Sequence, residues 1–582
     1  MEAMEAMGET SSPFLRLSNE IIEMIFTSST LKHDDVAALA RVCARFAQIS
    51  RSRELWRRKA LERWTYWGFD ENDRSRDWRE IYRDRLRWQR RIYPAVKELS
   101  VLNFNQEDIS LDTVYRFDEI FDEYDCFPDT ARVTLEEIRK SSEKSCDLTM
   151  KYYTDHVCEY VKVRQIEESM KGLLRRPDEE IDLVEGALLL SQWQNLWTPI
   201  DCDSVKSVID EMAIRVRECL ALNAPPLKEE GSESVVLSRD MLDVMNHVMF
   251  HEFRFVGNVV DFFNPDNSYL DKVVEHRTGI PITLSILYIT LGRRLGLSIQ
   301  PVGAGHHFFV CCKGSKDQSA GCKESDVYVD VFDGGRFLDE SECEHLKGEG
   351  HLGLETHLGI VRPSEVFARM ARNLLNFYQN SFIVDKSAVI RNLLYLIHVV
   401  QPTNIQNTVL LCKINVHLKI NGRQTLAMLS SIGEDPVPNV NELKATAKEV
   451  VDESCQPPEA NAKKRSHANY LNVTYRVGMV MKHKRYDYLC VIYGWDPVCR
   501  LSSSWQMQMG VNLLQHKNMQ PFYSVLVEDC SVRYAAQESL EISPSELVKA
   551  RLHPKVGKYF SSFDGFRYIP NVELAKRYPE DL

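Results

Sequence analysis

Ile21, Ile22, Ile25 and Phe26 recur at the spacing that sets them on one side of a helix. They follow Ser18, whose hydroxyl suits a helix N-cap, and Glu20, which suits the first turn. A second helix is predicted to start near Asp34–Asp35, with Val36, Leu39, Ala40, Cys43 and Ala47 on one stripe, and a third carries Leu55 and Trp56. Residues 14–60 thus read as a compact helical unit. An Arg- and Trp-rich helical stretch follows to about Tyr93. In it Trp64, Trp67, Trp78 and Trp88 stand among arginines interleaved with Asp70, Glu71, Asp73, Asp77, Glu80 and Asp84. That pattern predicts a salt-bridged helix with a tryptophan-anchored inner face. Residues 120–235 read as mostly helical, with a surface loop at Pro225–Ser234. Residues 236–345 mix helices with strand-like runs at His307–Cys312 and Val327–Phe332, and 363–430 return to helical periodicity. Gly433–Ala468 holds PVPN and QPPEANAKK and little apolar pattern, so a linker is predicted. From Val473 onward, short β-rich runs (Val477–Met481, Leu489–Gly494, Pro521–Val527) predict a small barrel or sandwich with a helical tail.

At 582 residues the chain exceeds what one hydrophobic core serves, so several domains are expected. An apolar content of 44% and a charged content of 27% mark a folded, soluble class. The apolar stretch Ile280–Leu291 is too short to span a bilayer, so no membrane is expected. MEAMEAMGETSSPF has no basic or apolar signal region, and no secretory signal is expected. Fifteen cysteines without a CxxC argue for reduced thiols in cytoplasm and/or nucleus, against zinc ribbons or a disulfide framework. The net charge of −12 is uneven. Residues 1–100 hold 19 basic and 16 acidic side chains, and 471–582 hold 14 and 11, so the middle carries −18. No segment has the basic excess of a dedicated nucleic-acid binder.

The string LRLSNEIIEMIF, then DDVAALARVCARFAQISRSRELW, resembles an F-box, with Ser18 where those domains usually have proline. Three short helices of under about 50 residues cannot bury all these hydrophobes, so the surplus should face a partner. The resemblance implies that Leu17, Ile21, Ile25, Phe26, Leu39, Val42, Cys43, Phe46, Leu55 and Trp56 meet a Skp-type adaptor, which links the chain to a cullin ubiquitin ligase.

FVGNVVDFFNPDNSYLDKVVEHRTGIPITLSILYITLGRRLGL, then HHFFV, YVDVFDGGRFLD and RMARNLLNFY, resemble the SirB-type branch of the transglutaminase-like family. Active members of the wider superfamily use Cys, His and Asp, with the thiol at a helix N-terminus that lowers its pKa. Counting back from Gly296 places Pro281 at the nucleophile position, while His307 and Asp330 match the other two. Gly305-His306 replaces a usual Pro-Gly, and Val331 a usual Pro. Proline has no thiol but starts a helix well. Ser285 lies one turn further on the same face, and no second base is evident to activate it. Cys311 and Cys312 share the strand of His307. Alternation along a strand keeps the histidines and cysteines of HHFFVCC from converging, so no metal is expected. A non-enzymatic binding cleft is expected, with no cofactor. The competing reading, a hydrolase or transglutaminase acting through His307 and Asp330, lacks a nucleophile.

YRVGMVMKHKRYDYLCVIYGWDP, with QPFYSVLVED, resembles the YccV-like, hemimethylated-DNA-binding type of domain. Lys482, His483, Lys484 and Arg485 beside Tyr486, Tyr488 and Trp495 could grip a phosphate backbone or line a groove for a protein client. The modest local charge favours the client over DNA. The fold expected is multidomain α+β: F-box 14–60, helical connector 61–119, transglutaminase-like domain 120–432, linker 433–469 and small β domain 470–582. The function expected is substrate recognition for a Skp–cullin–F-box ubiquitin ligase, delivering protein clients for ubiquitination.

Overall fold

The described residues of the computed structural model are 13–64, 77–123, 128–223, 238–304, 307–313, 326–339, 342, 359–381, 386–432, 440–454, 462–543 and 552–582. They gather into two compact units, 1–161 with 456–582, and 162–455. Both mix helices with antiparallel sheet, the α+β class expected.

In the first unit, helices Asn19–Thr27, His33–Leu39, Ala44–Ile49 and Arg53–Arg63 follow one another. The Ser18 hydroxyl accepts the Ile21 N–H, and the Ser52 hydroxyl accepts that of Leu55. Residues 14–60 do not make this core alone. Ile22, Phe26, Val36, Leu55 and Trp56 pack in one cluster with Trp64, Trp78, Tyr82 and Val133. The expected boundary at 60/61 is therefore not a boundary in packing. So few residues cannot enclose these rings, and the next helix supplies the missing wall. That helix, Trp78–Leu102, is capped by the Asp77 carboxylate and turns Trp78, Tyr82, Trp88, Ile92, Val96 and Leu99 inward. Its outer face carries the Arg83–Glu80 and Arg87–Asp84 ion pairs, as the interleaved charges predict. Trp67, Asp70, Glu71 and Asp73 lie outside the described residues.

The same unit holds a barrel. Strands Val480–His483, Leu489–Asp496, Phe522–Val527 and Val532–Ala536 form an antiparallel meander. After a 3-10 turn at Gln537–Ser539, the strand Leu540–Ile542 crosses to pair with Val480–His483, at the edge opposite Val532–Ala536. Gly478 has a φ of +90°, and a Cβ there would lie 2.0 Å from the Tyr568 carbonyl oxygen, so only glycine fits. The buried Asp581 accepts hydrogen bonds from the Val477 N–H and Trp495 Nε1 and pairs with Arg465 at 2.6 Å. The barrel is joined to the helices of its unit. Thr149 donates to the Phe560 carbonyl at 2.8 Å, Lys558 donates to that of Gln106, and Phe104 belongs to the barrel core.

Helix Pro281–Arg294 is the axis of the second unit, with ten of its fourteen residues buried. It packs on helices Leu183–Gln194 and Cys202–Asn223 and on a five-stranded antiparallel sheet. The strand order is Arg336–Leu338, Val327–Asp330, His307–Cys312, Ile299–Ala304, Gly359–Ile360. Helices Pro363–Asn380, Ser387–Val400, Ile405–His417, Gly422–Ser431 and Val440–Ser454 then pack each on the next. The last corrects the predicted linker. Val440, Leu443, Ala447 and Val450 form a helical stripe, and a Cβ at Gly422 would lie 2.7 Å from Val451. The Pro-rich flanks at 433–439 and 455–461 lie outside the described residues. Residues 462–469 are not a spacer either, since Lys463 binds the Trp495 carbonyl and Asp496.

Candidate functional site

The ten residues expected at the adaptor face separate in the structure. Ile21 (45% exposed) and Val42 (65%) stand in solvent, and Leu17, Ile25, Leu39 and Cys43 are half-buried. Phe26, Phe46, Leu55 and Trp56 are buried in the unit's own core, which corrects their reading as direct contacts. Trp56 even uses its Nε1 internally, on the Ser50 carbonyl at 2.7 Å. Two further apolar side chains of this region, Phe14 and Met24, are also exposed. Met24 lies three residues after Ile21, so the same helical spacing would have found it. Arg45 fixes the entry to this helix through the Leu17 carbonyl and Asn19 Oδ1.

In the middle unit Pro281 is the first residue of its helix. Thr283 locks this terminus. Its hydroxyl accepts the Ile280 N–H at 3.2 Å and donates to the Asn267 carbonyl at 2.9 Å. Phe308, Val310 and Cys312 point from their strand toward the core containing this helix, while Phe309 and Cys311 lie in a separate small cluster on the other face. Alternation puts His307 with Phe309 and Cys311, on the face away from the Pro281 helix. Asp330 shares that outer face by register, two residues along. Its carboxylate is used locally, accepting the N–H groups of Phe332 and Asp333 at 3.1 and 3.2 Å to cap the turn. His307 and Asp330 thus share a face, and Pro281 is not brought to it. Ser285 is fully buried, and its Oγ has no hydrogen-bond partner. Cys311 and Cys312 are buried on opposite faces, and burial pushes the Cys311 thiol up to about 11. Among the described residues, no group of three or more His, Cys, Asp or Glu could hold a metal ion.

Beside Pro281 lies a loop from which no candidate site residue was expected. Asn258, Asn267 and Asp261 hold the loop 257–264 in a web of hydrogen bonds, yet Val259, Val260 and Phe263 stand exposed. Its Phe262 packs edge-on against Phe332 at 5.9 Å.

At the barrel, the basic cluster is a hairpin tip with its own internal use. Lys482 pairs with Asp487 at 2.6 Å, and Lys484 donates to the Glu538 carbonyl. His483 is buried, and its Nδ1 accepts the N–H groups of Arg485 and Tyr486. Burial lowers its pKa, which keeps that nitrogen free to accept. Tyr488 lies under Arg533 at 4.4 Å. Trp495 is buried and bonded to Asp581, so it lines no groove. Of the seven residues expected to make contacts, only Lys484, Arg485 and Tyr486 are exposed. His483 and Trp495 are corrected from contacts to supports.

Family models match three segments: F-box-like over 15–62, transglutaminase-like superfamily over 203–372, and hemimethylated DNA-binding protein YccV like over 473–567. F-box only protein 21 of Pongo abelii is 32% identical over 607 residues, covering 100% of this chain and 95% of that protein. The human protein of that name is 31% identical over 614 residues, with the same coverage. The chain belongs to the F-box only protein 21 family. A UPF0162 protein of Xylella fastidiosa, strain Temecula1, is 28% identical over 221 residues, covering 36% of this chain and 70% of its own length. No solved structure matches. In this chain the exposed side chains Phe14, Ile21, Met24 and Val42 all fall in or beside the F-box-like segment.

Proposed function

We propose that the chain is the substrate-recognition subunit of a Skp–cullin–F-box ubiquitin ligase, recruiting client proteins for ubiquitination and proteasomal degradation in cytoplasm and/or nucleus. The observation that carries the reading is the exposure of Ile21 and Met24 on one F-box-like helix and of Val42 in the turn after the next, on a base whose other side is packed. Such apolar side chains on a rigid helical base suit insertion into a partner's groove. The chain then works by proximity. A client lysine held near a charged ubiquitin-conjugating enzyme reacts as if at high local concentration. The middle unit and the barrel capture the client, without bond chemistry from His307 and Asp330. The −18 charge of residues 101–470 steers toward basic client surfaces in that region.

The test is co-purification of a Skp-type adaptor and a cullin with the intact chain and with an Ile21→Asp, Met24→Asp variant. Point substitutions on the exposed face are the right tool, because deleting 14–60 would also open the core shared with Trp78 and Tyr82. Equal recovery from both would overturn the reading. A covalent adduct at Ser285, Cys311 or Cys312 that depended on His307 would favour the enzyme instead.

A further inference from the structure

Asp496 and Phe522 are directly paired across the barrel sheet, so residues 497–521 are one long excursion between two adjacent strands. The segment has structure of its own, the short helix Ser503–Gln508 and the 3-10 turn Val511–Leu513. It is not slack. Val511 packs with Phe522 and Ala536, and Trp505, Leu514 and Tyr534 close around them. The Glu538 carboxylate accepts the N–H groups of Gln515 and His516 and the Gln520 amide, at 2.8 to 3.0 Å. Cys499 N–H to the Asn518 carbonyl ties the two limbs together.

The outward side of this clamped segment is apolar. Met507 is 74% exposed, Leu513 87% and Met519 74%, with Leu501 and Met509 also in solvent. Leu513 lies against the end of the Met507–Met509 turn, since a Cβ at Gly510 would be 3.5 Å from its Cδ1. Methionine is unbranched and polarisable, and it suits surfaces that adapt to a partner. The excursion's only formal charges are those of Arg500 and Lys517; His516 is also exposed, and 497–521 hold no Asp or Glu. Arg500 reaches Asp496 at 3.6 Å but remains 64% exposed. Glu538, the carboxylate under the loop, is spent on two backbone N–H groups and the Gln520 amide.

We infer that the 497–521 loop is a docking surface for an acidic, amphipathic segment of a partner protein: leucine-like side chains lie on the methionines, and carboxylates meet Arg500 and Lys517. This rests on the client-capture reading above and assigns it to a surface distinct from the Lys482–Tyr488 hairpin. The loop is already ordered by its own core and by Glu538, so binding is not charged with folding it.

The test uses the full-length chain and a fluorescein-labelled synthetic helix of about 18 residues, with leucines at i, i+3, i+4, i+7 spacing and glutamates elsewhere. A second peptide carries lysine for every glutamate. Anisotropy should show the acidic peptide binding at least about tenfold tighter than the lysine one, and more weakly as salt rises. Methyl resonances of Met507, Met509 and Met519 should move on binding. Met507→Ser with Leu513→Ser should cost about tenfold or more in affinity. Arg500→Glu with Lys517→Glu, two exposed changes that leave the apolar side chains in place, should shift preference toward the lysine peptide. Equal binding of both peptides, or full binding by both variants, would overturn the inference. So would self-association of the chain lost in the serine variant, which would make a second copy the occupant, or duplex DNA moving the same resonances. Adaptor recovery is read on the same preparations, so failure here with adaptor retained leaves the ligase reading standing.

Discussion

Helices Asn19–Thr27 and Pro281–Arg294 are alike in sequence and opposite in use. Both carry three isoleucines, and both have a side-chain hydroxyl arranging the first turn. The first buries Ile22 and Phe26 and leaves Ile21 and Met24 in water. The second buries nearly everything from Ile282 to Gly292. What differs is the surrounding chain. The short helix lies on a thin layer that covers one side, whereas the long one is enclosed by helices and a five-stranded sheet. Apolar side chains left exposed on a well-packed base imply a partner, and enclosed ones imply a scaffold. The contrast also separates a family's chemistry from its architecture. The helix whose head corresponds to the superfamily's nucleophile is a largely buried element of its unit, with proline at that head.

The largest effect should come from opening the enclosed helix. Leu287→Ala removes a fully buried side chain and should cost about 2–5 kcal/mol of stability, read as a lowered urea midpoint. Met24→Ala should leave that midpoint unchanged. A comparable loss at Met24 would mean that its exposed setting is mistaken.

Next is the partner side of the comparison. Ile21→Asp with Met24→Asp should weaken adaptor binding by about 2–4 kcal/mol in titration calorimetry while the melting profile is kept. Retained affinity would remove the functional meaning of the exposed set.

How much of this was legible in sequence follows from burial. Helix periodicity found the Asn19–Thr27 helix, and capping preference its Ser18 cap, because 3.6-residue spacing and capping are local. It could not separate Ile21 from Phe26, since both are apolar at helical spacing and only the later wall of Trp78 and Tyr82 decides which one is covered. Trp495 and His483 read as surface aromatics beside basic residues, but the Asp581 and hairpin N–H partners that bury them lie across the sheet or in a turn. The Val440–Ser454 helix was masked by its Pro-rich flanks. Strand parity for His307 was readable, yet the face that the Pro281 helix packs on is set by long-range contacts.

A smaller effect is expected from pH. Burial lowers the pKa of His398, whose Nδ1 lies 2.9 Å from the Thr408 hydroxyl. A histidine with a depressed folded pKa contributes stability that is complete above its unfolded value near 6.5 and declines as pH falls below it. The middle unit should therefore melt a few degrees lower at pH 5.5 than at 7.5, and His398→Gln should flatten that slope. An unchanged slope would assign the pH response elsewhere.

The smallest expected effect is the sharpest test of the register. Pro281→Cys places a thiol at the first position of the long helix, where the helix N-terminus favours a thiolate. If geometry matched the active superfamily, His307 would accelerate alkylation of that thiol. Here Phe308, Val310 and Cys312 occupy the face toward the helix, and His307 leaves the strand on the other. Adding His307→Ala to Pro281→Cys should therefore change the iodoacetamide rate at residue 281 by less than about twofold, and should not move its pH midpoint. The same comparison with Asp330→Ala should be equally flat, provided the turn at Phe332 and Asp333 survives loss of its cap. A tenfold slowing on loss of His307 would place the imidazole beside the helix head. The domain would then be one substitution away from a working dyad, and the separation of scaffold from chemistry would fail at this site.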